Sequence, residues 1–186
     1  MPVIEEAKAK TIDGIVYLKA KVTDELSGVS HYAITINNRR PTAWSEMNDA
    51  NGDILYEVSG SGTYYLWVID EAGNEPEAVL VRAVKDIKPP VGSIDIQELN
   101  MSASGDKYTN KRVVTIKINV TDNESTMAEI KYALYNEEDY AKIKAGTKEI
   151  EWKNYTPSVT WTLKEPDGLN TIYAIFKDAA GNVTKY

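Results

Sequence analysis

Aspartate residues at matching places in the two halves of the chain are the first candidates for chemistry. Asp24 and Asp70 in the first half, and Asp122 and Asp178 in the second, each follow an alternating or apolar segment. Each pair could converge on a calcium ion, which takes several oxygen ligands from a preformed loop. An Asp-x-Asp-x-Asp-Gly pattern does not occur, and Asp86, between the halves, is the best lone candidate for an interdomain metal. We favour turn capping, in which Asp accepts hydrogen bonds from nearby backbone amides, and predict no metal site and no cofactor.

The sequence offers few residues for acid–base or nucleophilic catalysis. The single histidine, His31, falls on the polar face of an alternating segment beside Tyr32, and catalysis by His normally needs an orienting partner. No Gly-x-Ser-x-Gly, phosphate loop or His-Glu-x-x-His motif occurs, and the absence of Cys removes thiol catalysis, thiolate metal sites and disulfides. Among 28 acidic residues, carboxylate pairs of the glycosidase type arise by chance. We therefore predict no catalytic residues and a protein that is not an enzyme.

Aromatic side chains are the candidates for ligand binding. Trp44 and Trp152 lie near a turn in each half and could stack on sugar rings, yet their equivalent placement favours a packing role. Tyr135, Tyr140 and Tyr155 lie in or near a segment that the first half lacks. Because loops on a rigid scaffold carry specificity, we predict a ligand surface made of Tyr135, Tyr140, Trp152 and Tyr155.

Composition limits the partners. The chain has 186 residues, 42% of them hydrophobic, which is enough for packed cores. A net charge of −7 argues against nucleic acid and against anionic membrane surfaces. No apolar run approaches the roughly 20 residues that span a bilayer, and the N-terminus lacks the basic and apolar regions of a signal peptide. We expect no membrane insertion and a monomer, and, if the parent protein is exported, that this chain is an excised piece of it.

An internal repeat organises the chain. The segment 64–74, Tyr-Tyr-Leu-Trp-Val-Ile-Asp-Glu-Ala-Gly-Asn, returns at 172–182 as Ile-Tyr-Ala-Ile-Phe-Lys-Asp-Ala-Ala-Gly-Asn, an offset of 108 residues (178 − 70). The alternating segments 16–24 and 114–122 correspond at an offset of 98 (122 − 24). The second copy therefore carries an insertion, near residues 135–150. A repeat of about 100 residues is the length of one antiparallel sandwich domain.

The repeat predicts two domains, at 1–86 and 92–186, joined by a linker at 87–91 whose two prolines make it short and semi-rigid. Period-two alternation predicts half-buried strands, and the segment 65–69, apolar on both faces, predicts a central strand covered on both sides. Asn136 followed by acidic residues and then lysines predicts a turn or two of helix in the insertion. The closing strand at 78–84 has an equivalent that would run past residue 186, so we expect the last strand to be short or truncated.

The two Asp-x-Ala-Gly-Asn turns are predicted to be structural. Asp caps backbone amides, and Gly and Asn accept left-handed backbone conformations. The six turn residues are Asp70, Gly73, Asn74, Asp178, Gly181 and Asn182.

A strand, an Asp-x-Ala-Gly-Asn turn, a closing strand and a proline-containing linker resemble the bacterial immunoglobulin-like domains that occur in series in surface and secreted proteins. The resemblance rests on 65–74 and 173–182, supported by 16–24 and 114–122, and covers essentially the whole chain. It implies an all-β fold of two tandem immunoglobulin-like, Greek-key sandwiches at the cell surface or outside the cell. It also implies the functions of such modules, which are spacing, adhesion, or service as accessory units of exported enzymes.

Three functions follow as expectations. The first is a non-catalytic spacer or stalk in a larger exported bacterial surface protein. The second is an adhesin or carbohydrate-binding module, with a glycan or a host or cell-wall protein as partner, acting through the insertion of the second domain. The third is an accessory domain of an exported hydrolase whose catalytic domain lies outside this chain.

Overall fold

The computed structural model describes residues 1–165 and 167–184. The chain divides into two compact units, Met1–Ile87 and Lys88–Tyr186. Both units are built from antiparallel strands, and each closes a core of its own.

The first unit has seven strands. They are β1 Val3–Ile12, β2 Ile15–Thr23, β3 Val29–Thr35, β4 Ser45–Glu46, β5 Asp53–Glu57, β6 Gly62–Asp70 and β7 Val79–Ala83.

These strands form two sheets, with the orders β1-β2-β5 and β4-β3-β6-β7. One core cluster joins both sheets, with Leu18 and Val22 from β2 meeting Leu66 and Val68 from β6. The fold is therefore an immunoglobulin-like β-sandwich, in which the fourth strand joins the sheet of β3 and β6 instead of extending the sheet of β1 and β2.

The alternation of side chains along β2 determines which of its residues lie in the core. In β2, Val16, Leu18, Ala20 and Val22 are buried, at 3% exposed or less, while the side chains between them are half-buried or exposed. The two-residue turn Asp13-Gly14 joins β1 to β2, with φ of 45° and 80°. Positive φ at both central residues matches the right-handed twist of a hairpin, so this turn sets the β1–β2 register.

The second unit has eight strands and one helix within residues 88–165 and 167–184. They are β8 Val91–Ile96, β9 Asn100–Met101, β10 Lys107–Tyr108, β11 Val113–Thr121, β12 Lys131–Asn136, α1 Glu137–Lys144, β13 Lys153–Asn154, β14 Ser158–Thr162 and β15 Ile172–Lys177, with a single 3₁₀ turn at Met127–Glu129.

Two sheets, β14-β11-β8 and β13-β12-β15, enclose the second core. Ile116 and Ile118 of β11 meet Tyr132 of β12 and Phe176 of β15. A small hairpin, β9–β10, interrupts the connection from β8 to β11, where the first unit has only Asp13-Gly14. The second unit is thus the same kind of sandwich with two additions, the β9–β10 hairpin and α1, and within residues 88–165 and 167–184 it has a single bridge, Lys177↔Val183, where the first unit has β7.

The predicted helix of the insertion is confirmed as α1. Asn136 is its N-cap and accepts from the Asp139 backbone N–H at 3.0 Å. Acidic residues occupy the first turn, and Lys142 and Lys144 the last, the arrangement that the helix dipole favours.

After β15, Val183 bridges to Lys177 and the Thr184 N–H donates to the Phe176 carbonyl at 2.9 Å. Part of the predicted truncated strand, residues 185 and 186, lies outside the described residues. Among the described residues no helix has the length and apolar character to cross a bilayer, since α1 has eight residues.

Candidate functional site

The turn after β6 is closed by Asp70. Its Oδ1 accepts from the Asn74 backbone N–H at 2.7 Å and its Oδ2 from Asn74 Nδ2 at 2.8 Å. The Gly73 N–H donates to the Asp70 carbonyl at 3.1 Å, with Gly73 at a φ of 85°. Burial raises the pKa of Asp70, but the hydrogen bonds from Asn74 outweigh burial and leave that pKa below its ordinary value. Asp70 is therefore ionised and serves as the cap of this turn.

The turn after β15 repeats this geometry. Asp178 Oδ1 accepts from the Asn182 backbone N–H at 2.7 Å, Asp178 Oδ2 accepts from Asn182 Nδ2 at 2.9 Å, and Gly181 has a φ of 92°. The Ala179 N–H also donates to Ser125 Oγ at 3.1 Å, which fastens the turn to the loop after β11. The equal geometry follows from the equal spacing of Asp, Gly and Asn in the sequence.

A second aspartate stands beside each turn. Asp24 Oδ1 accepts from the backbone N–H groups of Leu26, Ser27 and Gly28 at 3.1, 2.7 and 3.1 Å. Asp24 Oδ2 lies 3.0 Å from the α-amino group of Met1. That ammonium, followed by the backbone donors, holds the pKa of Asp24 well below its usual range.

The two aspartates of each unit do lie close together, as their positions at strand ends predict. The Met1 amino nitrogen is 3.7 Å from Asp70 Oδ2 as well as 3.0 Å from Asp24 Oδ2. In the second unit, carboxylate oxygens of Asp122 and Asp178 lie within 4.8 Å of each other, and Asp122 Oδ1 accepts from the Ser125 N–H at 2.7 Å. In Asp24, Asp70, Asp122 and Asp178 alike, at least one oxygen is committed to the backbone of a turn.

The remaining polar candidates are part of the first sandwich. Asp86 is buried, and its N–H donates to Thr11 Oγ1 at 2.8 Å. His31 is half-buried and faces Glu46 of β4 and Ile69 of β6 across the sheet. Neither arrangement provides the nucleophile, base and orienting group of a catalytic site.

The four residues of the predicted ligand surface do not share one surface. Tyr135 is 6% exposed, and its Oη accepts from the Glu151 N–H at 2.7 Å. Tyr155 packs against the core between the two sheets of the second unit, and its hydroxyl donates to the Ile118 carbonyl at 3.2 Å. Tyr140 and Trp152 are half-buried. The ring of Tyr135 is therefore buried and does not offer a surface to a ligand.

The helix α1 explains the burial of Tyr135. Ile143 packs with Ala133, Tyr135 and Ile175 in a second, smaller core on the outer face of the β13-β12-β15 sheet. The ring of Tyr140 stacks on Tyr173 of β15, with centroids 3.9 Å apart and planes 9° apart.

Two ion pairs join α1 to segments that follow it in the chain. Lys148 pairs with Asp139 at 3.0 Å, and Lys164 pairs with Glu138 at 2.7 Å. Hydrogen bonds from Lys142 and Lys164 lower the pKa of Glu138 to about 2. The insertion is thus a lid over one sheet face of its own unit.

The corresponding face of the first unit has no helix within residues 1–87. Alternation directs Tyr65, Trp67 and Ile69 of β6 away from the core, and all three are half-buried. The outer face of this strand is thus only partly covered, whereas the sequence predicted a strand covered on both sides. Sequence reasoning missed this outward aromatic face, although the alternation of β6 together with Trp44 could have indicated it.

No family model matches the chain, and no curated protein matches it. Among solved structures, the chain is similar to the fibronectin(III)-like modules of Clostridium thermocellum CbhA. That match has 17% identity and a TM-score of 0.39, and covers 100% of this chain and 90% of that one. It is also similar to the BSP domain of a biofilm-associated protein, at 10% identity and a TM-score of 0.37, covering 98% of this chain and 28% of that one. The fold assignment rests on the strand pairing and the two closed cores.

Proposed function

We propose that this chain is a non-catalytic spacer, or stalk segment, of a larger exported bacterial surface protein. One observation carries the proposal: the polar groups that the sequence singles out hold their own units together. Asp70 and Asp178 close turns, and Asp24 and Asp122 bind the loops that precede β3 and β12. Such groups stabilise the folded module, which is what a spacer requires.

The strand pairing supports a load-bearing role. The first strand, β1, pairs with β2 from Val3↔Thr23 to Ile12↔Ile15 with one register shift. The other terminal strand, β7, pairs with β6 from Gly62↔Ala83 to Leu66↔Val79. Force applied at the ends of the unit must break these ladders together with the core they cover.

Single-molecule pulling between terminal handles tests the spacer. The expected record has two discrete unfolding events, each releasing a contour length of about 300 Å, since a chain extends by about 3.3–3.6 Å per residue and the units span residues 1–87 and 88–186. Asp70→Ala should lower the rupture force of one event and leave the other unchanged. If the chain extended smoothly at low force, without discrete unfolding events, the proposal would be overturned.

Recognition through the insertion receives less support. The apolar side of α1 is taken up by its own sheet, and Tyr135 lies beneath it. Deletion of residues 136–147 distinguishes the two functions, because a spacer loses only stability whereas an adhesin of this kind also loses binding.

A further inference from the structure

The outer face of the β4-β3-β6-β7 sheet carries a row of three residues across neighbouring strands. Ala33 of β3 lies opposite Trp67 of β6. On the other side of β3, Ser45 pairs with Tyr32, and the same antiparallel register places Trp44 beside Ala33. Both tryptophans of the first unit therefore flank one alanine, and we call Trp44, Ala33 and Trp67 the tryptophan row.

Trp67 is fixed across the sheet. Its Nε1–H donates to Thr35 Oγ1 at 2.9 Å, and the Thr35 hydroxyl donates to the Asn37 carbonyl at 2.6 Å. Because Thr35 is two residues from Ala33, the indole extends diagonally over β3 instead of standing away from the sheet. A ring held in this way loses little conformational freedom when a ligand binds it.

Trp44 is held at the other end of the row. The Arg40 guanidinium lies 5.6 Å from the centroid of the Trp44 ring, and Arg40 Nε donates to Glu75 Oε2 at 2.9 Å. The Arg40 side chain is 63% exposed, so it can offer donors to a ligand that rests on the row.

The second unit shows what the same row looks like when it is covered. Lys153 pairs with Tyr132, and Ala133 with Ile175, so its row is Trp152, Ala133 and Ile175. There Ile143 of α1 packs onto the alanine, which is 1% exposed.

In the first unit Ala33 is only 7% exposed with no helix above it. Its neighbours in the row are the two tryptophans, Trp44 and Trp67. What remains accessible on Trp44 and Trp67, both half-buried, is suited to a flat partner rather than to a helix of the α1 kind.

The charges at the edge of the row restrict the partner further. Glu46 stands opposite His31, and Arg40 is paired with Glu75. Arg82 lies on the same face but on β7, at the opposite edge of the sheet. The edge near Trp44 therefore has Arg40 against two glutamates, Glu46 and Glu75. A polyanion needs an excess of positive charge, so the balance is complementary to a neutral ligand rich in hydroxyl groups.

We propose that the tryptophan row is a binding surface for a neutral polysaccharide. Pyranose rings present a flat array of C–H groups that stacks on an indole face, while their hydroxyls bond to the charged groups at the edge. The Cα atoms of Trp44 and Trp67 lie two strand spacings apart, about 10 Å, so an extended chain can rest on both rings at once. This site lies in the first unit and goes beyond the proposed spacer role.

Affinity electrophoresis in native gels tests the site, with mixed-linkage β-glucan, xyloglucan or galactomannan cast in the gel and alginate as the anionic control. We expect retardation of the full chain by at least one neutral polysaccharide and none by alginate. Trp67→Ala and Trp44→Ala should each lower the affinity by at least tenfold. The matched control is Trp152→Ala, which removes the equivalent tryptophan beneath α1 and should leave retardation intact.

A stability effect is separated from a binding effect by Arg40→Ala, since Arg40 is exposed and its loss leaves the core untouched. We expect weaker retardation with unchanged thermal unfolding. Several results would overturn the proposal: no retardation in any neutral gel, retardation by alginate alone, equal loss with Trp152→Ala, or self-association of the chain that Trp67→Ala abolishes. None of these results bears on the pulling experiment, so either proposal can fail without the other.

Discussion

Replacing Ile143 by Ala should destabilise the second unit by about 2–3 kcal/mol. The side chain is 7% exposed and packs on Ala133, Tyr135 and Ile175. The substitution removes three carbon groups at about 0.8 kcal/mol each, and the remaining space adds a cavity cost wherever the helix cannot settle. Alanine has a higher intrinsic helix propensity than isoleucine, so any loss of stability comes from docking and not from the helix itself.

Differential scanning calorimetry of the whole chain measures this effect. For a unit of about 100 residues, 1 kcal/mol shifts Tm by roughly 4–8 °C, so one transition should fall by roughly 10 °C or more while the other stays. Lys142→Ala on the same helix is the control, because an exposed (i, i+4) pair with Glu138 contributes only about 0.3–0.5 kcal/mol. If Ile143→Ala lowers Tm no more than Lys142→Ala does, α1 is not docked and the interpretation of the insertion as a lid fails.

Gly92→Ala should destabilise the second unit by about 1–3 kcal/mol, because a Cβ at Gly92 would overlap the buried ring of Phe176; an unchanged denaturant midpoint would contradict this contact. The depressed pKa of Asp70 makes its contribution to the stability of the first unit complete above about pH 4 and progressively lost as the pH falls toward the folded-state pKa. Urea unfolding between pH 2 and pH 7 should therefore show a steeper acid loss for wild type than for Asp70→Asn, and parallel curves would refute the role given to Asp70. Tyr135→Phe should cost about 1 kcal/mol through the lost bond from the Glu151 N–H, which chemical denaturation measures against wild type.

The strands with a strict period of two were predictable because alternation directly specifies which face is buried. β2 and β11 show it, with Leu18 and Ile116 at the centre of each core. The turn residues were predictable for a local reason, since an Asp four residues before an Asn brings its carboxylate onto that residue's own amide.

Other elements depend on pairing between distant segments, and the sequence indicated them less well. β1 and β5 have short or irregular apolar patterns, and β5 buries only Ile54 deeply. The Asp13-Gly14 turn was an available hairpin signal for β1. The burial of Tyr135 could not be predicted from residues 135–150 alone, because it depends on which face of the sheet α1 returns to.

The two units differ in what lies over the outer face of one sheet, and this difference determines which unit has a face that a ligand can reach. Both sandwiches place an alanine, Ala33 or Ala133, at the middle of an outer sheet face with a tryptophan beside it. Such a face leaves apolar surface in contact with water unless something covers it. The second unit covers its face with α1 and Ile143, at the cost of making that face unavailable. In the first unit the alanine lies opposite Trp67, whose indole is held across β3 by Thr35 and is only half-buried. The insertion, which the sequence marks as the place for recognition, is thus the structural cover, and the unit without an insertion has the face that a partner can reach.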